Sequence, residues 1–348
     1  MSNDWPSLFA KDASLFPHLA DLHKDQVLLS TMSEAAFRQA SFLDQRLFTP
    51  DLERQVVPWA DIASVPLPTL PKPHYIFHVG HVGSTLISRL LGELDGILAL
   101  REPALLRQLA DVHINKPADI DWTPDEQARR LRQVEGWLSR VFHPDQRVMI
   151  KASSFVSPLA RSLLADSGTA LFLFASLERY LQTILAGDAS KQEAAALAQL
   201  RLYRLEQHCG EPMAAGEELS LARTAALGWL CEMVTLHDAH AHCPDATIAW
   251  MDFDDFISQP AEQLRVAADH FGLDLSPEDA RDLVSGPIMT RYSKAPEHDY
   301  SASLREELLA EAAQIHADDI RQTLLWVDQL ARRFPIVAAA IATAETKR

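Results

Sequence analysis

The run Tyr75-Ile-Phe-His-Val-Gly-His-Val-Gly-Ser-Thr-Leu-Ile-Ser-Arg-Leu-Leu91 constrains the fold more than any other part of the chain. Tyr75, Ile76, Phe77 and Val79 suit a strand covered on both faces, where an unbroken apolar run replaces alternation. Gly80 and Gly83 allow a tight turn and a close approach of backbone to a ligand. Ser84 or Thr85 can cap a following helix, in which Leu86, Ile87, Leu90, Leu91 and Leu94 recur at helical spacing. A strand, a glycine turn and a helix in this order aim free N–H groups and the positive end of a helix dipole at one point, which suits a phosphate or sulfate group. The nucleotide-hydrolase loop places four residues between its glycines, then Lys and Ser or Thr. Here two residues, His81 and Val82, separate Gly80 from Gly83, and Ser84 stands where Lys would. That spacing argues against ATP or GTP hydrolysis. A bare connecting turn is the alternative reading of the segment taken alone.

The rest of the chain sets this unit in a series. Apolar runs at 96–100, 147–151, 170–174 and 246–251 read as four more strands. Helical periods fill the intervals, at 103–112, 124–142, 156–165, 178–186, 190–208, 219–240, 260–271, 277–284, 303–316 and 318–333. Alternating strands and helices imply a parallel sheet with helices on both faces, and the wholly apolar 170–174 is expected at its centre. The fold class expected is three-layer α/β/α, helix-rich, with a mainly parallel sheet of about five strands. Ligands bind beyond the carboxyl ends of such strands. The turn after the first strand, Arg101 and Glu102 after the second and Lys151 ending the third should therefore converge.

Residues 1–72 read as an appendage packed on this core. The spacing of Phe37, Phe42, Leu43 and Leu47 predicts one amphipathic helix over 33–48. Pro58, Pro66, Pro68, Pro71 and Pro73 then predict an extended linker, because proline removes the helical donor. Residues 73–348 form the main domain, with a helical insertion at about 187–243 and C-terminal helices. An apolar share of 47% supplies a sizeable core, and a formal charge of −16 argues against nucleic-acid or anionic-membrane binding. A few cations in one cleft still suffice for an anionic ligand. Cys209, Cys231 and Cys243 lack metal-ligand spacing and read as reduced thiols. The first residues, MSNDWPSLFAKD, lack the basic start and apolar run of a signal peptide, and no stretch approaches the ~20 apolar residues of a membrane span. A cytoplasmic protein is expected.

With these elements in order, residues 74–300 resemble the sulfotransferase family of P-loop-like proteins. Phe77-His-Val-Gly-His-Val-Gly-Ser-Thr-Leu86 looks like the family's loop for the 5′-phosphosulfate of its donor, 3′-phosphoadenosine 5′-phosphosulfate. Leu100-Arg-Glu-Pro103 looks like the segment that carries a catalytic glutamate in several members. Ile150-Lys-Ala-Ser153 resembles the strand ending in a Lys near the sulfuryl group. Phe174-Ala-Ser-Leu-Glu-Arg-Tyr-Leu-Gln-Thr183 takes the place of the 3′-phosphate segment, and 250–260 that of a late strand and turn ending in proline. The resemblance departs at two points. His81 stands where the family has Lys or Arg, and Ala175 stands where it has an Arg that binds phosphate bidentately. Arg179, Arg291 and Lys294 are the cations left for the 3′-phosphate, with Thr183 keeping the usual hydroxyl.

The resemblance implies sulfuryl transfer to a hydroxyl or amine of a small acceptor, with the phosphosulfate donor as co-substrate. Glu102 would be the base, Lys151 and His81 the cations or donors at the reacting centre. Gly80, His81, Val82, Gly83, Ser84 and Thr85 would form the backbone cradle, and Arg179, Thr183, Arg291 and Lys294 the rest of the donor site. No metal is expected. His237, His240 and His242 read as a polar helix end, and Asp252, Asp254 and Asp255 as a structural turn. Two other readings are kept open: a non-catalytic nucleotide- or anion-binding protein with an eroded donor site, and a P-loop kinase.

Overall fold

The computed structural model describes residues 4–213, 219–290 and 302–347. A five-stranded sheet of order β5-β6-β4-β7-β8 forms the centre. Its strands are β4 (His74–His78), β5 (Ile97–Arg101), β6 (Arg147–Lys151), β7 (Thr169–Phe174) and β8 (Thr247–Asp252). Every pairing among them is parallel. All residues of β4 and β5 are buried, as unbroken apolar runs covered on both faces require. The expected sheet is therefore present, but its middle strand is β4. The wholly apolar β7 is interior and lies beside it.

The amino-terminal segment differs from expectation. It holds a three-stranded antiparallel sheet of β1 (Leu15–Asp21), β2 (Gln26–Thr31) and β3 (Arg54–Pro58). Prolines hide β1 and β3 from a sequence reading, since proline inside an apolar run argues against a strand; β2 carries none and escapes notice as a short apolar run. Pro17 is accommodated at a register shift between Pro17 and Leu19, and Pro58 ends β3. The helix expected over 33–48 is confined to Glu34–Gln39, followed by a separate 3₁₀ turn at Gln45–Leu47. Arg101 accounts for the early stop. Its Nη1 donates to the carbonyls of Phe37 (3.0 Å) and Ala40 (2.6 Å), taking over acceptors that a longer helix would use itself. Arg140 anchors the segment similarly, donating to the carbonyls of Phe9, Asp12 and Leu15. Burial pushes its pKa down to about 9. The linker expected from Pro58 to Pro73 is extended only in part: Trp59–Ser64 form a helix with Pro58 at its N-cap, where proline's missing donor costs nothing, and residues 65–73 carry no helix or strand.

The helical intervals follow the sequence closely, with local exceptions. The interval 156–165 begins as a 3₁₀ segment, Ser154–Leu159, that contains Pro158, and becomes α-helical only at Ala160–Leu164. A helix not anticipated, Pro335–Thr346, packs on the long buried helix Leu221–His242. Among the described residues no helix is long and apolar enough to cross a membrane.

Candidate active site at the carboxyl edge of the sheet

The loop after β4 is built from strained backbone. Gly80 (φ 92°), His81 (φ 54°) and Gly83 (φ 64°) all lie in the left-handed region, which L-residues avoid. The helix Ser84–Leu91 starts directly from Gly83, and no side chain caps it. Its first N–H groups are therefore open donors. Thr85 Oγ1 is buried and has no hydrogen-bond partner among the described residues, and Ser153 Oγ, just past β6, is in the same condition. Orphaned hydroxyls beside open N–H groups fit an oxyanion. His78 braces the loop from below. Its Nδ1 accepts from the Gly80 N–H (3.0 Å), so its Nε2 donates to the Ala152 carbonyl (2.9 Å), tying the loop to the end of β6.

Glu102 and Lys151 lie on this same edge. Their strands are adjacent, with Arg101 registered against Lys151. The Glu102 N–H donates to the Lys151 carbonyl (2.7 Å), and the Lys151 ammonium donates to Glu102 Oε1. Lys151 is 1% exposed. Glu102 takes a left-handed φ of 52°, a conformation that costs about 1–3 kcal/mol and clusters at functional sites. That turn carries its carboxylate into a cleft of about 1060 Å³, lined also by Arg46, Arg107, Phe155, Leu197 and Leu200. Glu102 thus pairs with Lys151 and neither adjacent arginine. Arg101, expected in the cleft, faces the other way and holds the helix Glu34–Gln39. A slightly larger cavity, about 1200 Å³, opens at the opposite edge of the sheet, where His74 and Arg147 begin their strands. None of the candidate residues among those described lines it.

Other candidates are engaged by the protein itself. The His81 ring turns to the helix Asp188–Cys209, with Nε2 3.4 Å from a Glu193 carboxylate oxygen and Nδ1 3.4 Å from Ser190 Oγ. Val82 is buried. Gly83 faces a protein ring: a Cβ there would lie 1.9 Å from Cε2 of Phe253. Thr183 Oγ1 donates back to the Arg179 carbonyl (2.8 Å). Arg179 is held by two carboxylates, Asp254 (3.2 Å) and Glu306 (2.7 Å), which also hold Arg305. Arg291 and Lys294 lie outside the described residues. Ala175 is buried, and its carbonyl accepts from Trp229 Nε1 (2.9 Å).

The features read as structural have structural partners. His237 meets Thr343, His240 accepts from Trp250 and His242 meets the Asp238 carbonyl. Asp252 caps the short helix Phe253–Ser258. Burial pushes the Cys231 thiol up to about 12 and Cys209 to about 11, so neither is a nucleophile at neutral pH. Sequence reasoning missed His78 and Phe253. His78 adjoins the glycine loop and could have been found there; Phe253 reaches Gly83 only through the fold.

No protein-family model matches the chain, and no curated protein matches it in sequence. Solved structures similar to it include a sulfotransferase domain from the curacin biosynthetic pathway, at 13% identity and a TM-score of 0.41, covering 72% of this chain and 99% of that one. A sulfotransferase from Alicyclobacillus acidocaldarius is similar at 14% identity and 0.37, covering 80% and 97%. A third, from Mycobacterium tuberculosis, is similar at 17% and 0.32, covering 73% and 79%. The likeness is distant in sequence and loose in superposition, and it says nothing about substrate.

Proposed function

We propose that the protein is a sulfotransferase-like enzyme, taking a sulfuryl group from 3′-phosphoadenosine 5′-phosphosulfate to a hydroxyl or amine of a small acceptor. The observation that carries this reading is the Glu102–Lys151 pair, set at the ends of adjacent parallel strands beside an open-donor glycine loop. The donor supplies the sulfuryl group and a phosphate leaving group. Acceptor oxygen or nitrogen bonds to sulfur as the bond from sulfur to the bridging oxygen breaks. The acceptor proton passes to Glu102, the group that faces the cleft. Lys151 holds that carboxylate in place, and the loop N–H groups with Thr85 receive the oxyanion. The cleft beside Glu102 is the acceptor's place; Phe155, Leu197 and Leu200 give it one apolar wall and Asp21, Arg46, Arg107 and Asp111 a polar one, which suits a polar molecule with an apolar part.

The carboxylates on Arg179 favour a second reading, a binding protein without catalysis. Among the described residues the candidate cation for a 3′-phosphate, Arg179, is already satisfied. Thermal unfolding with 3′-phosphoadenosine 5′-phosphate separates the readings. Protection by this nucleotide, with none from magnesium ATP, supports the donor site. No shift with any nucleotide overturns it, and a magnesium-dependent ATP shift would point to a kinase.

A further inference from the structure

Two arginines leave the helix Asp188–Cys209 three residues apart and are both buried, Arg201 at 4% exposure and Arg204 at 7%. Facing them from the helix Leu221–His242 is one buried carboxylate, Glu232. Arg204 occupies both of its oxygens, Nη1 to Oε1 at 2.8 Å and Nη2 to Oε2 at 3.0 Å, and Ser157 adds a further donor to Oε2. Among the described residues Arg201 has no ion pair and no hydrogen-bond acceptor. Arg204 is thus balanced by Glu232, and among the described residues Arg201 is left without a counter-charge. A guanidinium held in so buried a place without a carboxylate partner favours an anion beside it.

The surroundings show where that anion would sit. Gly228 lies in the middle of the helix Leu221–His242, where glycine weakens a helix. A Cβ there would come 2.8 Å from Arg201 Nη1 and 3.3 Å from its Cζ, so the guanidinium takes the space that glycine leaves. The same Cβ would be 3.4 Å from the Tyr180 hydroxyl. Tyr180 is itself a buried residue, and its hydroxyl makes no hydrogen bond among the described residues. A Cβ on Gly80 would lie 3.9 Å from it and 3.7 Å from Ser154 Oγ. Guanidinium, phenol and serine hydroxyl therefore gather on the Gly80 flank of the loop. On the Gly83 side Phe253 takes the space, whereas a Cβ on Gly80 would meet only ordinary contact distances.

We propose that Arg201, with Tyr180 and Ser154, binds a tetrahedral oxyanion of the sulfate or phosphate class at the Gly80 flank of the loop. Arg201 then supplies the cation that His81, turned to Glu193, does not. The assignment of this anion to the donor's phosphosulfate end rests on the function proposed above; the anion site does not.

Full-length protein is titrated calorimetrically with sodium sulfate, against chloride at matched ionic strength, and with 3′-phosphoadenosine 5′-phosphate. Arg201→Gln is expected to weaken both by about ten-fold or more, the worth of a charge-assisted contact. Without anion its thermal midpoint should equal or exceed that of wild type, because an uncompensated buried charge has been removed. Gly228→Ala keeps the charge but crowds the guanidinium, and should weaken the anion without unfolding the helix. Sulfate binding that depends on Arg201, with no nucleotide binding, would keep this proposal and sink the donor reading. Nucleotide bound equally by wild type, Arg201→Gln and Gly228→Ala would do the reverse. No sulfate binding by wild type, or an Arg201→Gln protein less stable without anion, would make Arg201 a structural residue and overturn the proposal.

Discussion

Replacing Gly83 by Ala tests how the loop is held. The residue has φ 64°, so alanine must adopt a left-handed backbone at a cost of about 1–2 kcal/mol. Its Cβ would also fall 1.9 Å from Cε2 and 2.2 Å from Cζ of Phe253. That ring stacks on Phe256, with an interplanar angle of 11°, and lies under the Arg305 guanidinium. It cannot yield without disturbing both, and overpacking of this kind costs about 1–3 kcal/mol more. The sum is about 2–5 kcal/mol, to be read by urea unfolding at unchanged slope. Gly80→Ala is the control. Its φ of 92° is equally left-handed, but the nearest atoms are at 3.7 and 3.9 Å, ordinary contact distances. It should lose only the backbone share, about 1–2 kcal/mol. In a cycle with Phe253→Ala, the double variant should be less destabilised than the sum of the singles by about 1–3 kcal/mol, the clash relieved. Equal costs at the two glycines, or a strictly additive cycle, would refute the reasoning.

Glu102→Gln is expected to lower turnover by about 10²–10⁴-fold while leaving donor affinity little changed; turnover within a few-fold of wild type would assign Glu102 to structure. Glu306→Ala releases Arg179 from one carboxylate. It should raise the preference for the 3′-phosphorylated donor over adenosine 5′-phosphosulfate by about ten-fold in calorimetry, and an unchanged ratio would make the Arg179 cluster purely structural. Acid should destabilise the protein through His74, whose pKa burial, aided by Arg147 and His270, holds down at about 4. The unfolded chain binds the proton near pH 6.5 and the folded one does not. Stability therefore falls as pH drops from about 6.5 to 4, by up to about 1.4 kcal/mol per unit. His74→Phe, which keeps a ring against Phe271, should flatten that slope; an identical slope would place the acid sensitivity elsewhere.

The sequence by itself determined the central sheet, because each of its strands is an apolar run that only a doubly covered sheet can bury. It also determined which edge gathers the candidate residues, since the Gly80–Thr85 turn, Glu102 and Lys151 all follow strand ends. Local pattern failed at the amino terminus, where Pro17 and Pro58 sit inside strands and Arg101, distant in sequence, ends a helix. Direction and partnership were decided only by the tertiary structure. The backbone turn at Glu102 sends its carboxylate to Lys151 and the cleft, while Arg101, one residue earlier, is buried on the other side. His81 and Arg179 stand in sequence where an anion would be met, yet the fold brings Glu193, Asp254 and Glu306 to them. Arg201 is one arginine of a long polar helix until Glu232 is taken by Arg204 and Gly228 makes room. Charge balance in a buried site depends on which elements pack together, and no spacing within a single segment encodes it.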